Sequence, residues 1–545
     1  MKKKKFLSAL VAAIMTVTSL TACGGSNDST TAGTTNGNTG DAADTSSTAE
    51  YKKDISVALA VEPPTLDPHT SGATAVRDVT RYIFECLFEL DSSYSPKPQL
   101  AESYTVNDDY TEFEFKLRKG VKFHNGDEMK AEDVVASLNR WLITKKTDYA
   151  ARAILTDDGF CKIDDYTVGI KLNQSCVTLL ELLACPAQAP VIMPEEVITA
   201  AGEGDISEYI GTGSLKFDEY VQTQYIKMSR FEDYQAPTDE SGNVYALDGQ
   251  WGDRNVNFDS VTFYFVSDSQ VRLAGVQNGE YDILTNLDYE DIDSAKLTGL
   301  QMITDMGCNG GVSFNLIGGI FKDDNLRAAA YYAMSPEELS AGSILDSDYY
   351  YTDSCYLAPE SKWHTDVSDD TYGQNVELAK QYLADANYDG TPVTILATSA
   401  YPELYRASLI LEQELEAVGF TVKIETYDWS NWISKVITFD GFDIFVMSYA
   451  VMYTPTNCSY LYSALTGLAF CPTNDNELTT LLNEYDTAID FDSAYAAWEK
   501  LQKAASDDHL IVKYGDYYYC DMASSNVENF KAFMGIVLWG INVKQ

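Results

Sequence analysis

The chain of 545 residues carries 38 Lys and Arg against 82 Asp and Glu, a formal charge of −44 at pH 7. That excess repels phosphate backbones and anionic lipid, which excludes nucleic acid as a partner and leaves a membrane reachable only through an anchor. The length suits two or three cores rather than one. Beyond the first twenty residues no apolar run is long enough to cross a bilayer, so a channel or permease is excluded too.

Lys2 to Lys5 form a basic run before the uncharged stretch Phe6 to Leu20. Such a stretch falls short of the roughly 20 residues that cross the hydrocarbon, and its flanks fit a secretory signal over residues 1–22. The signal ends Leu20-Thr21-Ala22-Cys23-Gly24. This resembles the bacterial lipobox, in which the cysteine is diacylated and becomes the first residue. The alternative is an ordinary signal with Cys23 incidental. The next segment favours the lipid. Residues 24–50 contain only Gly, Ser, Thr, Asn, Asp, Ala and Glu, and cannot bury enough surface to offset the entropy of ordering. As a flexible tether they span roughly 29 Å on average. Two acyl chains make such anchoring stable. Removing the signal leaves 34 basic against 82 acidic residues, −48.

Past the tether, Ile55, Val57, Leu59 and Val61 alternate with small or polar residues, a strand ended by Pro63-Pro64. Glu112 to Leu117 and Thr167 to Leu172 alternate likewise. Ala131 to Leu142 has helical spacing, with Val134, Val135, Leu138, Trp141 and Leu142 on one face. Further on, Val393 to Ala397 is strand-like. Leu404, Ala407, Leu411, Leu415 and Val418 then recur at three- and four-residue steps up to a helix stop at Gly419. Phe420, Val422 and Ile424 alternate, and Phe442 to Met447 is nearly continuous apolar strand. Strand, helix, strand at this spacing predicts a parallel pair with a right-handed crossover. Ligands of parallel α/β sheets gather beyond the carboxyl ends of strands, here the loops after Ile424 and Met447. Trp429, Trp432, Tyr449 and Tyr453 fall there and offer flat apolar surface with polar tips. Packing of some rings against the sheet is the competing reading.

Chemistry-bearing motifs are absent. No Gly-x-Ser-x-Gly elbow, His-Glu-x-x-His or Walker loop occurs, and among 82 carboxylates any acid pair can be imagined. An enzyme is not expected, nor a cofactor. His69, His124, His364 and His509 have no second His or Cys at ligand spacing, which argues against a metal. Nine cysteines follow Cys23, and Cys458 with Cys471 could pair in an oxidising exterior, with buried free thiols an equal alternative.

Several stretches resemble the extracytoplasmic solute-binding proteins of peptide-type ABC transporters, the oligopeptide- and dipeptide-binding family 5. They begin with Glu62-Pro-Pro-Thr-Leu-Asp-Pro-His69 and Arg81-Tyr-Ile-Phe-Glu-Cys-Leu-Phe88. The strongest is Leu117-Arg-Lys-Gly-Val-Lys-Phe-His-Asn-Gly-Asp127 with Ala131-Glu-Asp-Val-Val135. Gly211-Thr-Gly-Ser-Leu-Lys-Phe217, Gly279-Glu-Tyr-Asp-Ile283, Asn325-Leu-Arg-Ala-Ala-Ala330 and Phe442-Asp-Ile-Phe445 follow in order. Ser335-Pro-Glu-Glu338 stands where the family has Asp-Arg/Lys-Glu. The resemblance implies an α/β, periplasmic-binding-protein-like (type II) fold of two lobes joined by a hinge, with an extra inserted domain. Its expected division is 52–84, 209–297 and 510–545 in lobe I, 85–208 in the insertion and 298–509 in lobe III, after a lipidated cysteine and linker at 23–51. The lipid and tether put the expected monomer at the outer face of a cell membrane, of Gram-positive type. That monomer closes on a small solute and presents it to the transmembrane subunits of a permease.

For the solute, the resemblance implies that Thr70, Ser71, Gly72, Ala73 and Thr74 line the pocket opposite Trp429, Trp432, Tyr449, Met452 and Tyr453. In the peptide binders a Trp-x-x-Asp-Tyr-like segment supplies a carboxylate for the α-ammonium group. Here the segment reads Tyr449-Ala-Val-Met-Tyr453 and puts Met452 at the aspartate. A peptide is the first expectation, an oligosaccharide stacked on the rings the second; few histidines make nickel a poor fit.

Overall fold

The alternation of Ile55, Val57 and Leu59 becomes the strand Asp54–Leu59, flanked on both sides by parallel partners, Ser260–Phe265 and Ile283–Leu284. The computed structural model describes residues 50–144, 159–187, 189–202, 204–458 and 476–545. The lipidation at Cys23, the tether and the pairing of Cys458 with Cys471 lie outside them.

One mixed sheet organises both lobes. Its strands run in the order 422–427, 393–398, 444–450, 301–314, 511–523, 283–284, 54–59, 260–265, 225–230, 215–221. Two antiparallel strands, Gln301–Phe314 and Ile511–Ala523, are long enough to belong to both halves. At one end Met522 and Ala523 pair with Met302 and Gln301 and also with Leu284 and Ile283. At the other, Cys308–Phe314 pair with Ile444–Ala450. Register shifts between Met306 and Cys308 and between Gly310 and Gly311 fall between the two ends, where bulges add twist. The chain is thus mixed α/β and two-lobed.

The expected strand–helix–strand unit is present. Val393–Thr398 pairs in parallel with Val422–Tyr427 and with Ile444–Ala450. Helix Pro402–Val418 buries Leu404, Ala407, Leu411, Leu415 and Val418 and stops at Gly419, whose φ of 116° suits glycine. Two details differ from the sequence reading. Both strands run three residues further, to Tyr427 and Ala450. Trp429 then opens helix Trp429–Thr438 instead of a loop, because the Asp428 carboxylate accepts from Asn431 N at 3.2 Å and caps it.

Residues 85–208 carry a separate antiparallel sheet of Ala101–Val106, Glu112–Leu117, Thr167–Lys171 and Phe160–Asp164, in that order. Its inward Phe113, Phe115 and Leu117 pack with Val134, Leu138 and Trp141 of helix Ala131–Thr144.

Gly211-Thr212-Gly213 shows what the matched motifs do. Gly213 N and Leu215 N donate to the carbonyls of Ile83 and Tyr82 at 2.9 and 3.0 Å, so the two segments touch backbone to backbone. A Cβ on either glycine would collide with those carbonyls. His124 closes the other side: its Nδ1 accepts from Gly211 N at 3.3 Å, so its Nε2 carries the proton and donates to Gly213 O at 2.9 Å. Burial pulls its pKa down to about 4, which keeps that tautomer neutral. Gly213→Ala is expected to destabilise the protein by roughly 1–3 kcal/mol, the usual cost of overpacking. Urea denaturation measures it, and an unchanged midpoint would show that the segments separate without loss.

Candidate functional site

The Leu66-Asp-Pro-His69 stretch sets the first wall. Asp67 is wholly buried and binds Arg140 of helix Ala131–Thr144 through both oxygens, at 2.6 and 3.2 Å. Burial opposes the charge, but the guanidinium wins and holds the carboxyl below its ordinary range. His69 Nδ1 accepts from Arg140 at 3.0 Å and Nε2 donates to Val191 O at 3.0 Å, a neutral imidazole that burial lowers to about 4. Residues 67–69 are clamped there to Arg140, Val191 and Ile206, just before the loop Thr70–Thr74. In that loop Thr70 Oγ1 donates to Asp205 at 3.0 Å and Ser71 Oγ accepts from Ala73 N at 3.3 Å. Gly72 and Ala73 are exposed, and helix Thr74–Thr80 begins directly after them.

The second wall lies past strand Ile444–Ala450. Tyr449, Met452 and Tyr453 are all buried. The Tyr453 ring stacks on Tyr94 at 5.5 Å, and Tyr94 meets Phe533 at 5.3 Å. Tyr94 is held at φ 56°, a conformation that side chains disfavour, in a turn whose Asp91 carboxylate accepts from Ser93 N and Ser95 N at 2.9 and 3.0 Å. The same face is bridged by polar contacts. Glu181 takes Lys362 Nζ at 2.6 Å and Thr454 Oγ1 at 2.5 Å, while Ser175 Oγ donates to Ala488 O at 2.5 Å. Segments 85–208 and 298–509 therefore touch across this wall.

Trp429 and Trp432 stand further out on the sheet. Trp432 is buried against Leu396 and Phe445 and donates Nε1 to Leu396 O at 3.2 Å. Trp429 is half-buried, stacked flat on Trp432 at 5.0 Å and edge-on to Tyr401 at 4.9 Å.

Behind Met452 lies a charged network that sequence reasoning missed. Met452 N donates to Asn309 Oδ1 at 3.2 Å, and Asn309 Nδ2 donates to Asp516 Oδ1. Asp516 pairs with Lys513 at 2.6 Å. Lys513 pairs with Asp353 at 2.6 Å, and Asp353 holds His364 Nε2 at 2.6 Å. Lys513 and Asp516 are both buried. Residues three apart on a strand normally face opposite ways. Here Gly310 and Gly311 pair with Gly515 and Lys513, which skips Tyr514 and turns both side chains to one face. Despite the cost of burial, the two carboxylates keep Lys513 charged well above its ordinary range. Burial pushes Asp516 up to about 7 against the pull of that ammonium, and the bond to Asp353 raises His364. A bulge has no signature in the alternation of Ile511 to Ala523, so nothing in the sequence announced the network.

Among the described residues, no helix is long and apolar enough to cross a membrane and no cluster of three His, Cys, Asp or Glu could hold a metal ion.

One sheet carried through two lobes, with rings and polar bridges joining segments 85–208 and 298–509 beside it, is the frame of a two-lobed α/β protein. The chain belongs to the bacterial extracellular solute-binding proteins, family 5, whose middle region matches residues 95–469. That is a family of receptors rather than enzymes. Among curated relatives, the glutathione-binding protein GsiB of Salmonella choleraesuis (strain SC-B67) is 26% identical over 70% of this chain and 71% of its own. The oligopeptide-binding protein AppA of Bacillus subtilis (strain 168) is 23% identical over 98% of this chain and 97% of its own. The solved structure of AppA with a nonapeptide superposes with a TM-score of 0.73 at 20% identity, covering 91% of this chain and 100% of that one. AgaA of A. tumefaciens R10, solved with agropinic acid, gives 0.75 at 23% identity over 90% of this chain and 99% of that one. Both structures share the fold.

Proposed function

We propose that this protein is the receptor of an ABC importer that captures oligopeptides or dipeptides by closing its lobes and delivers them to the transmembrane subunits of a permease. The observation that carries the peptide assignment is the likeness to an oligopeptide-binding relative along 98% of the chain. The receptor acts as a monomer at the outer face of the cell membrane, held there by a lipid on Cys23 and the tether behind it. Residues 52–84, 209–297 and 510–545 form one lobe, 85–208 the insertion and 298–509 the other lobe. Loop Thr70–Thr74 and the side chains of Trp429, Tyr449, Met452 and Tyr453 meet the ligand, while Trp432, buried against Leu396 and Phe445, backs Trp429 from the sheet. Met452 favours a second reading, because a thioether cannot pair with an α-ammonium group. On that reading the solute is an oligosaccharide or another molecule without a free amino terminus.

Calorimetric titration of the purified protein with pools of di- to nonapeptides and with α- and β-linked oligosaccharides separates the two. Binding of sugars alone would sink the peptide reading. Trp429→Ala is expected to weaken capture by roughly 1–3 kcal/mol, the worth of one aromatic anchor. Unchanged affinity would place the cleft elsewhere.

A further inference from the structure

Segment 85–208 opens on Cys86 and nears its end at Cys185, two thiols that capture of a solute leaves unused. The backbone fixes each of them. Cys86 lies opposite Val191 in an antiparallel bridge, its N–H donates to Glu89 Oε1 at 3.1 Å, and its carbonyl accepts from Leu100 N at 3.3 Å. Cys185 follows helix Leu179–Leu183, and its N–H donates to Leu182 O at 3.3 Å. The bridge at Val191 thus brings the end of the segment back over its beginning.

Both side chains are buried, and both line one cavity of about 30 Å³ with Phe84, Glu89, Pro186 and Val191. That is scarcely more room than a water needs. A negative charge on Cys185 bears on Cys86 across it. Cys86 Sγ makes no hydrogen bond among the described residues, and Cys185 Sγ donates to Ala187 O at 3.3 Å. Elsewhere Cys161 is exposed, while Cys176, Cys308 and Cys355 hydrogen-bond through sulfur to Thr178, Tyr519 and Gln502. The family is extracellular, and thiols outside a cell meet oxidants. A link from 86 to 185 would close a loop of about 100 residues, where the gain in chain entropy is large.

We propose that Cys86 and Cys185 are an oxidation site that forms a disulfide and ties segment 85–208 together at its base. The exchange balances with a small disulfide such as oxidised glutathione. One protein thiolate attacks it and expels a glutathione thiolate. The second then attacks the mixed disulfide and expels the other. Two S–H protons leave, one protein S–S bond forms, and the oxidant is reduced to two thiols. Burial, with Glu89 adding to it, raises the Cys86 thiol well above its ordinary range, so Cys185 opens the exchange and Cys86 completes it. Cys185 gives up Ala187 O and turns into the cavity.

The test incubates the purified protein overnight with oxidised glutathione at mildly alkaline pH, alkylates the remaining thiols under denaturing conditions and reads the peptides by mass spectrometry. The expected product is a peptide pair joined through Cys86 and Cys185, two hydrogens lighter than its parts and absent after dithiothreitol. In Cys185→Ser the pair is absent, and Cys86 is alkylated or carries one glutathione. The linked protein is expected to unfold at higher urea than the reduced one, by on the order of 1 M, a shift that Cys185→Ser loses. Refolding from urea in the same oxidant exposes both thiols, so a native sample that stays reduced is judged on the refolded one. Cys86 and Cys185 both alkylated there, each carrying glutathione, or joined to other cysteines overturn the site. A linked form that unfolds at the same urea as the reduced one overturns its tying role.

Discussion

Lys513→Met is expected to lower the stability of the protein by roughly 3–5 kcal/mol at pH 8, the cost of removing one partner from a buried ion pair. The ammonium stands between Asp353 and Asp516, each at 2.6 Å, with Asp516 fully buried. Methionine fills much of the same volume, so the loss reports charge rather than a cavity. Because the native environment raises the lysine's pKa, its contribution is complete below the unfolded value of 10.5 and fades only as pH rises through the folded one. Neutral and mildly alkaline solutions therefore retain it in full. In the variant Asp516 can relieve the strain by taking a proton, more easily as pH falls, because burial already raises its carboxyl and the ammonium that opposed the rise is gone. Urea denaturation at pH 5 and pH 8 should thus give the smaller loss at pH 5. Adding Asp516→Asn to Lys513→Met should restore part of the stability at pH 8. A loss under about 1 kcal/mol, or one indifferent to pH, would mean that the carboxylates find other partners.

Features set by neighbours in the chain were legible, and features set by distant partners were not. Alternation over Glu112 to Leu117 and helical spacing over Ala131 to Leu142 reproduce the observed elements to within a few residues. The spacing from Val393 to Met447 gives the parallel pairing, because burial on both faces of a central strand leaves a local apolar signature. The Asp428 cap was readable as an Asp three residues before Asn431, but the apolar rings around it suggested a cleft loop instead. The matched motifs hold the frame. Asp67, His69, His124, Gly211 and Gly213 all bind backbone or clamp one segment to another. Their partners lie far along the chain: Asp67 finds Arg140 73 residues later, and Thr454 finds Glu181 273 residues earlier. Periodicity carries no record of such pairs.

Glu414→Gln should stabilise the protein at pH 8 and leave it unchanged at pH 4. Glu414 shares the apolar stripe of helix Pro402–Val418 with Ala407, Leu411 and Val418. One oxygen accepts from Ser335 N at 3.1 Å, and the other has no hydrogen-bond partner among the described residues. Burial raises the carboxyl to about 8, with Glu338 adding to the rise and the Ser335 N–H opposing it. The raised value means that the folded chain keeps a proton between pH 4.5 and 8 that the unfolded chain has released. Stability therefore falls as pH climbs through that window, by about 1.4 kcal/mol per unit. Glutamine imitates the protonated side chain, still accepts from Ser335 N and has nothing to release. The advantage of the variant should grow to roughly 3–5 kcal/mol by pH 8 and vanish below pH 4.5. Mutual repulsion across a surface of charge −44 also weakens the fold as pH rises, but it acts on both proteins and cancels in the difference. Thermal melts of the pair across pH 4 to 8 read that difference directly. A gap that stays constant with pH would show that Glu414 is hydrated in solution and ionises there as an ordinary glutamate does.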